Sequence, residues 1–487
     1  MMQLTNEGRS DRPDGRTLAS KVRRGLILSF LNNAVARLGT LLAGIVLARL
    51  LTPADFGMFA VSLVAMNAML SVFDLGVHMA IVRWPGDPRE LAPTVTTLAT
   101  GGSIVCYILC WLATPWFASA LNVPSAVGAI RLLGLAVIIA GISAVPVGLL
   151  DRSFRQGRRM VGELLALGAS VGTTIVLAVL GAGVWSLAWG RIVGNLLATI
   201  VFFVLADARL RLGFNPALAR DLLRFGIPLA GAHVLAFAML NLDYVVVGRA
   251  LGPTQLGAYL LAFNLSSWPV NMFSAAVRRV TPAGFSQLVA DVPRLHSSLA
   301  RSLCLLTAAA IPICVLLAVC ALPTVRFVYG DRWTLAADAL RFLALLGAVR
   351  VITELIYDYL VAIGRSGANL LIQAVWFLAL LPALTLGAQL GGIAGVGLGH
   401  VAVAVSIVLP ACLVELRRSG VRLGSLAGAV IRPAVGGAVC AAIAGVTLKV
   451  VSDDPVMVIA AAGISMSAYL AIVAPVRHFV PKGNSAH

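Results

Sequence analysis

The sequence predicts an all-α integral membrane protein of about fourteen transmembrane helices: two six-helix lobes related by a parallel pseudo-two-fold repeat, plus a C-terminal helical hairpin. Three observations predict it. Of the 487 residues, 60% are hydrophobic and 12% charged, whereas soluble domains carry roughly 25% charged residues. Apolar runs of about 20 residues, the length that crosses a hydrocarbon core, recur along the chain. The stretch VLARLLTPADFGMFA (Val46–Ala60) returns as VVGRALGPTQLGAYL (Val246–Leu260) at a gapless offset of 200 residues, the mark of a duplicated architecture.

Residues 1–24 mix Gly, Pro, Asp and Arg and read as a flexible cytoplasmic tail. Fourteen apolar spans follow, at roughly 25–46, 57–80, 92–113, 126–149, 162–180, 184–205, 225–246, 257–280, 300–322, 336–361, 369–388, 391–414, 426–448 and 456–476. The first lobe takes 25–205. A cytoplasmic linker, 206–224, holds a short amphipathic helix that Asn215 and Pro216 open and that ends near Gly226. The second lobe takes 225–414, the hairpin 426–476, and a cytoplasmic tail 477–487. With the N-terminus inside, 27 of the 37 Lys and Arg lie on the cytoplasmic side and five on the other, which predicts both termini inside. The two repeat copies join spans 1–2 and spans 7–8. Six spans separate them, so both halves share one orientation and their axis runs along the membrane normal. A weaker echo pairs LGAGVWSLAWG (180–190) with QLGGIAGVGLGH (389–400), aligning Gly183 with Gly392 and Gly190 with Gly399.

Several function classes are excluded. The net charge of +17 sits in short loops between apolar runs, which is a topology signal and not a nucleic-acid footprint. The seven cysteines lie within apolar runs and read as small hydrophobes. No Walker A loop, no Ser/His/Asp set and no metal-ligand spacing stands out, and the expected outer loops are too short for a catalytic domain. The expectation is a transport protein with no catalytic residues, no cofactor and no bound metal.

Charged residues inside spans are costly and normally face protein or water. They gather on spans 1, 2, 7 and 8: Asn33 and Arg37, Asn67 and Asp74, His233, Asn241 and Asp243, and Asn264 with Asn271. Arg37, mid-span, suits an anionic group because guanidinium matches phosphate; an interhelical ion pair with Asp74 or Asp243 is the other reading. Asp74 and Asp243 are candidates for exchanging a proton or binding Na⁺, against a structural role. His233 and His400 read as hydrogen-bonded packing or as functional groups. On span 10, Arg350, Glu354 and Asp358 follow at i, i+4 spacing and share a face, either as an internal ion pair or as a polar stripe lining a cavity. The repeated Arg49, Pro53 and Gly57, with Arg249, Pro253 and Gly257, read as turn-makers at the outer surface. There the arginines bond carbonyls at a helix end, or else meet substrate at the mouth.

Three blocks carry a resemblance: VLARLLTPADFGMFA, then LLRFGIPLAGAHVLAFAMLNLDYVVVGRALGPTQLGAYLLA (222–262), then VRFVYGDRWTLAADALRFLAL (325–345). In them the chain resembles Wzx-type polysaccharide flippases, the colanic-acid and exopolysaccharide exporters of the multidrug/oligosaccharidyl-lipid/polysaccharide exporter superfamily. The resemblance covers roughly 25–450. It implies two six-helix lobes around a central cavity, alternating access, and a polyprenyl-pyrophosphate-linked oligosaccharide as substrate. It also implies a bacterial inner-membrane location, drive by H⁺ or Na⁺, and work alongside polysaccharide polymerase and glycosyltransferase machinery. The substrate-binding candidates are then Arg37, Asn33, Asn67, His233, Asn241 and Arg350. The coupling-ion candidates are Asp74, Asp243, Glu354 and Asp358. A multidrug extruder of the same superfamily is the alternative; it would favour an acidic cavity, and Arg37 argues against one.

Overall fold

The computed structural model describes residues 39–73, 81, 87–153, 156–278, 285, 291–450 and 455–473. The candidates Asn33, Arg37 and Asp74 lie outside the described residues. Fifteen α-helices follow in order among those described: α1 (Gly39–Leu50), α2 (Pro53–Phe73), α3 (Pro88–Ala120), α4 (Val127–Arg152), α5 (Gln156–Val179), α6 (Val184–Leu205), α7 (Pro216–Leu251), α8 (Pro253–Arg278), α9 (Val292–Val319), α10 (Ala321–Tyr329), α11 (Thr334–Ala362), α12 (Ser366–Val403), α13 (Leu409–Arg418), α14 (Leu423–Val450) and α15 (Pro455–Val473). No strand occurs among the described residues. That is the outcome expected where every backbone polar group must find its partner inside its own segment.

Nine of the described helical stretches are long and apolar enough to cross a membrane, and Gly39–Leu50 and Met457–Val473 are shorter apolar helices. Large apolar side chains stand exposed on them, among them Leu112, Val179, Leu378 and Ile464, as a lipid-facing surface requires. The stretch Ser366–Arg418 holds 53 residues, about 80 Å of helix against a hydrocarbon core of about 30 Å. It is two spans. The break is at Gly391 and Gly392, whose backbone leaves the helical region, Gly392 with φ 56° and ψ −141°. Helices α8 and α11 are long enough to span but fall outside the nine. Their amides and charges, Asn264 and Asn271 on one and Arg350, Glu354 and Asp358 on the other, lower their hydropathy.

The chain forms two compact units that interleave along the sequence. One comprises Met1–Leu47, Met66–Ala113 and Arg131–Leu235; the other, Ala48–Ala65, Thr114–Ile130 and Ala236–His487. In the first unit α5 and α6 form a hairpin through Gly181 and Gly183, both at positive φ. A Cβ at Gly194 would stand 2.9 Å from the Ala166 carbonyl oxygen, so this glycine is what allows the close approach. Ile81, Leu91, Val95, Val145 and Leu222 make a buried core. The connection before α7 is tied to α3: Thr97 Oγ1 donates to the Gly213 carbonyl (2.8 Å), and Asn215 N–H donates to Thr94 Oγ1 (3.2 Å).

Asn215 caps α7, its Oδ1 accepting from Ala217 N–H at 3.0 Å and Leu218 N–H at 3.4 Å, as the sequence led one to expect. The short helix does not end near Gly226, however. α7 runs unbroken for 36 residues from Pro216 to Leu251. A glycine inside a helix costs only about 1 kcal/mol. Gly226 is not among the positive-φ glycines that end helices here.

In the second unit α9 packs on α11 and α14, and α14 on α15. Tyr469 of α15 is buried beside Cys440 and Cys304, its hydroxyl donating to the Ala308 carbonyl at 2.9 Å. The hairpin inside α12 is closed by Gly387 and Gly395, whose Cα atoms face each other's carbonyls with no room for a side chain. Gly183 has φ 54° and ψ −131°, almost the values of Gly392. The echo read between 180–190 and 389–400 is therefore a pair of equivalent turns in the two halves.

Candidate functional site

The repeated stretch closes two helix-to-helix turns, and the two copies solve the turn differently. Pro53 and Pro253 each occupy the first position of their helix, where the missing N–H costs nothing. In the second copy Gly252 takes φ +83°. In the first copy Thr52 stands at that position and caps α2 instead. Its backbone N–H and Oγ1 donate to Asp55 Oδ2 (3.0 and 2.6 Å), and Asp55 N–H donates back to Thr52 Oγ1 (3.3 Å).

Within the second unit the two copies touch each other. A Cβ at Gly57 would collide with the Pro253 carbonyl, and a Cβ at Gly257 with the Pro53 carbonyl. The first turns of α2 and α8 thus cross backbone to backbone, reciprocally, at the conserved spacing Pro-x-x-x-Gly of the repeat. The third block joins them. Trp333 Nε1 donates to the Ala48 carbonyl in the last turn of α1 (2.7 Å), and Arg49 donates to the Phe327 carbonyl in the last turn of α10 (2.6 Å). Phe56 meets the Trp333 ring edge-on at 5.1 Å. Arg249 is exposed, and it is its carbonyl that is engaged, by Asn122 Nδ2 at 3.0 Å.

Two residues beyond Gly257, α8 carries Tyr259, fully buried. Its hydroxyl donates to Asp243 Oδ2 of α7 at 2.9 Å and lies 3.3 Å from His400 Nε2 of α12. Asp243 Oδ1 accepts from Tyr244 N–H at 2.9 Å, and His400 Nε2 is 3.8 Å from Asp243 Oδ2. Asp243 and His400 are 4% and 6% exposed, so this carboxylate and imidazole are screened from bulk solvent. The tautomer is assigned from the hydrogen-bond sequence. With the tyrosine proton pointing at Asp243, the Tyr259 oxygen accepts from His400 Nε2–H. Nδ1 then carries the lone pair. His400 Nδ1 is buried and has no partner among the described residues. The three groups can therefore hold or pass a proton between a buried carboxylate and a bare imidazole nitrogen. A π-helical turn, Ala404–Val408, follows His400 by one helical turn, a feature frequent near functional sites.

The other candidates distribute as follows. Arg350 Nη2 meets Glu354 Oε1 at 3.3 Å, and both side chains are partly buried on α11; this is the i, i+4 pair. Asp358 lies one turn further on the same helix, half-buried. Asn241 spends its amide on its own helix, donating to the Phe237 carbonyl at 3.0 Å. Asn67 and His233 are half-buried and belong to the first unit, whereas Asn241, Asp243, Arg350, Glu354 and Asp358 belong to the second. Sequence reasoning missed Tyr259 and undervalued His400. The signal for Tyr259 was present: its counterpart in the first copy is Phe59, and that of Asp243 is Ala43. The cluster is thus a polar addition to one half of a symmetric scaffold.

Comparison with known proteins agrees with this architecture. The model of the family "Polysaccharide biosynthesis protein" matches residues 46–338, beginning at the first repeat copy. The lipopolysaccharide biosynthesis protein WzxC of Escherichia coli (strain K12) is 26% identical over 371 residues, covering 74% of each chain. The succinoglycan biosynthesis transport protein ExoT of Rhizobium meliloti (strain 1021) is 24% identical over 321 residues, 66% of this chain and 65% of the relative. Among solved structures, the lipid II flippase MurJ in an inward closed conformation superposes with a TM-score of 0.75 at 14% identity, covering 93% of this chain and 99% of MurJ. An inward-facing multidrug resistance transporter of the MATE family gives 0.57 at 18% identity, covering 80% and 95%. The shared fold is that of multi-pass membrane transporters, and with its model matched over more than half its length, the chain belongs to the polysaccharide biosynthesis protein family.

Proposed function

We propose that this protein translocates a polyprenyl-pyrophosphate-linked oligosaccharide unit across the bacterial inner membrane, with both termini cytoplasmic, by alternating access driven through the Asp243–Tyr259–His400 cluster. One observation carries the reading. A single helix, α8, supplies Gly257 to the crossing with α2 and, two residues on, Tyr259 to a buried carboxylate and imidazole. A change of protonation at the cluster acts on the same helix turn that holds the two repeat copies together. Family membership and the similarity to a lipopolysaccharide biosynthesis protein and a succinoglycan biosynthesis transport protein support the substrate class.

In this mechanism the lobes 25–205 and 225–414 rock about a central cavity, and the hairpin 426–476 flanks the second lobe. Arg37 anchors the pyrophosphate, with Asn33, Asn67, His233, Asn241 and Arg350 contacting phosphate or glycan. Coupling falls to Asp243, with Asp74, Glu354 and Asp358 as further acidic positions. The proton is the ion favoured over Na⁺, because a carboxylate, a phenol and an imidazole in hydrogen-bond sequence form a proton path. The Gly57–Gly257 crossing is the closure on the outer side. Polymerase and glycosyltransferase machinery receive and supply the unit.

The test is a deletion strain complemented with the wild type or with Asp243→Asn. The wild type restores surface polysaccharide. Asp243→Asn leaves lipid-linked units on the cytoplasmic leaflet although the protein is inserted. Unchanged polysaccharide with raised drug sensitivity in the deletion strain would sink the flippase reading. Full export by Asp243→Asn would sink the coupling role alone.

A further inference from the structure

Where α9 and α14 begin, a cleft of about 1130 Å³ opens between them. Its charged lining is cationic: Arg301 from α9, Arg422 immediately before α14 and Arg432 from α14, with His296, Ser297 and Ser425 beside them. No carboxylate lines it. Among the described residues no hydrogen bond or ion pair engages these three guanidinium groups. The acids that precede the two helices in sequence are committed elsewhere: Asp291 caps α9 and pairs with Arg294, and Glu415 pairs with Arg365 and Arg418.

The two helix-borne charges occupy the same position in their helices. Arg301 and Arg432 are each the tenth residue of helices that begin at Val292 and Leu423, so each sits about 14 Å along its helix. Arg422 immediately precedes α14. The first turns of both helices, through Val292 and Ser425, border the same cleft, and two positive dipole ends add to the arginines. Apart from His296 and two serines, the uncharged lining is apolar or small, with Cys304, Ala429 and Ile431. Val292, Ile431 and Val435 are exposed beside it. A cleft whose cations have no acid partner among the described residues, and whose flanks are apolar, fits an amphiphile better than a soluble anion, which has no use for the apolar walls.

We propose that this cleft holds the phosphate headgroup of an anionic diacyl phospholipid of the cytoplasmic leaflet, its acyl chains lying along the exposed α9 and α14 faces. The assignment rests on the orientation that places the starts of α9 and α14 inside, and not on the transported substrate. Basic pockets between helices on that side are suited to anionic lipids.

The experiment uses the purified full chain in detergent, with native mass spectrometry of phosphatidylglycerol and phosphatidylcholine binding. Phosphatidylglycerol is expected to bind preferentially. The Arg301→Gln/Arg432→Gln double variant is expected to lose that affinity by about fivefold per arginine, about 25-fold together. The corresponding double lysine variant retains most of it, which separates loss of charge from misfolding. Arg341→Gln, exposed on α11 outside this lining, leaves it unchanged. Equal binding of the two lipids, or full phosphatidylglycerol binding by the glutamine double variant, would overturn the proposal. Displacement of phosphatidylglycerol by inorganic pyrophosphate at equal concentration would overturn the lipid assignment. Tighter binding of a short-chain polyprenyl pyrophosphate in the same cleft would reassign the occupant to the substrate. None of these readouts depends on export, so a failure here is distinct from a failure of the flippase reading.

Discussion

Substituting Gly57 by alanine tests whether the crossing of the two repeat copies is a working contact. The added Cβ would stand 2.9 Å from Pro253 Cα and nearer still to the Pro253 carbonyl oxygen. Carbon atoms pack at about 3.5 Å or more, so the helices must part by at least ~0.6 Å at that atom and by more at the oxygen. The obstacle is backbone, so no rotamer change relieves it. Overpacking of this kind costs about 1–3 kcal/mol, which multiplies the ratio of open to closed crossings by about 5 to 150. Gly257→Ala meets Pro53 in the same way and should act equally. Gly172→Ala on α5, with nothing within 4 Å of the new Cβ, is the control and should stabilise by about 1 kcal/mol through helix propensity. The assay is a spin-label distance between Ala54→Cys and Thr254→Cys, in a background from which the seven free cysteines have been removed, reconstituted in vesicles. The short-distance population should fall in both glycine variants. An unchanged distribution in Gly57→Ala would refute the reasoning, because the helices would have had room for a methyl group.

Further outcomes follow from the same region. Gly252→Ala should destabilise by about 1–2 kcal/mol, because its φ of +83° is disfavoured with a Cβ while the space itself is open. Thr52→Ala should cost about 1 kcal/mol by loss of the cap on α2, and thermal unfolding in detergent checks both. Tyr259→Phe removes one hydroxyl and leaves a buried carboxylate short of a donor, at about 1–3 kcal/mol. Export in vesicles with an imposed pH gradient should lose its dependence on the gradient in Tyr259→Phe. Phe59→Leu, at the equivalent position of the first copy, should keep it.

Much of the fold was legible in the chain because the membrane restricts the options. Apolar length decides where helices span, and Pro53, Pro253, Gly183 and Gly392 punctuate them through local geometry alone. The equivalence of Gly183 and Gly392, proposed from an eleven-residue echo, reappears as nearly identical backbone angles. Linear reading failed where continuity and partnership matter. The helix opened by Asn215 did not stop at Gly226, since one glycine is too small a penalty to end a helix whose flanks propagate it. Arg350 and Glu354 were visible as a pair because they are four residues apart on one helix.

The sequence by itself determined an all-helical membrane protein, its duplicated halves, its turn residues and the acidic character of position 243. Each of these depends on local spacing, on backbone conformation or on transfer to hydrocarbon, which a chain declares without knowing its neighbours. Only the tertiary structure decided that Gly57 and Gly257 face each other's prolines across 200 residues, and that Trp333 caps α1 over |i−j| = 285. It alone put Tyr259 and His400 on Asp243, the latter two residues 157 positions apart. Those pairings are set by helix packing in three dimensions. The same apolar periodicity would be satisfied by many other partners, so composition and spacing carry no record of which one was chosen.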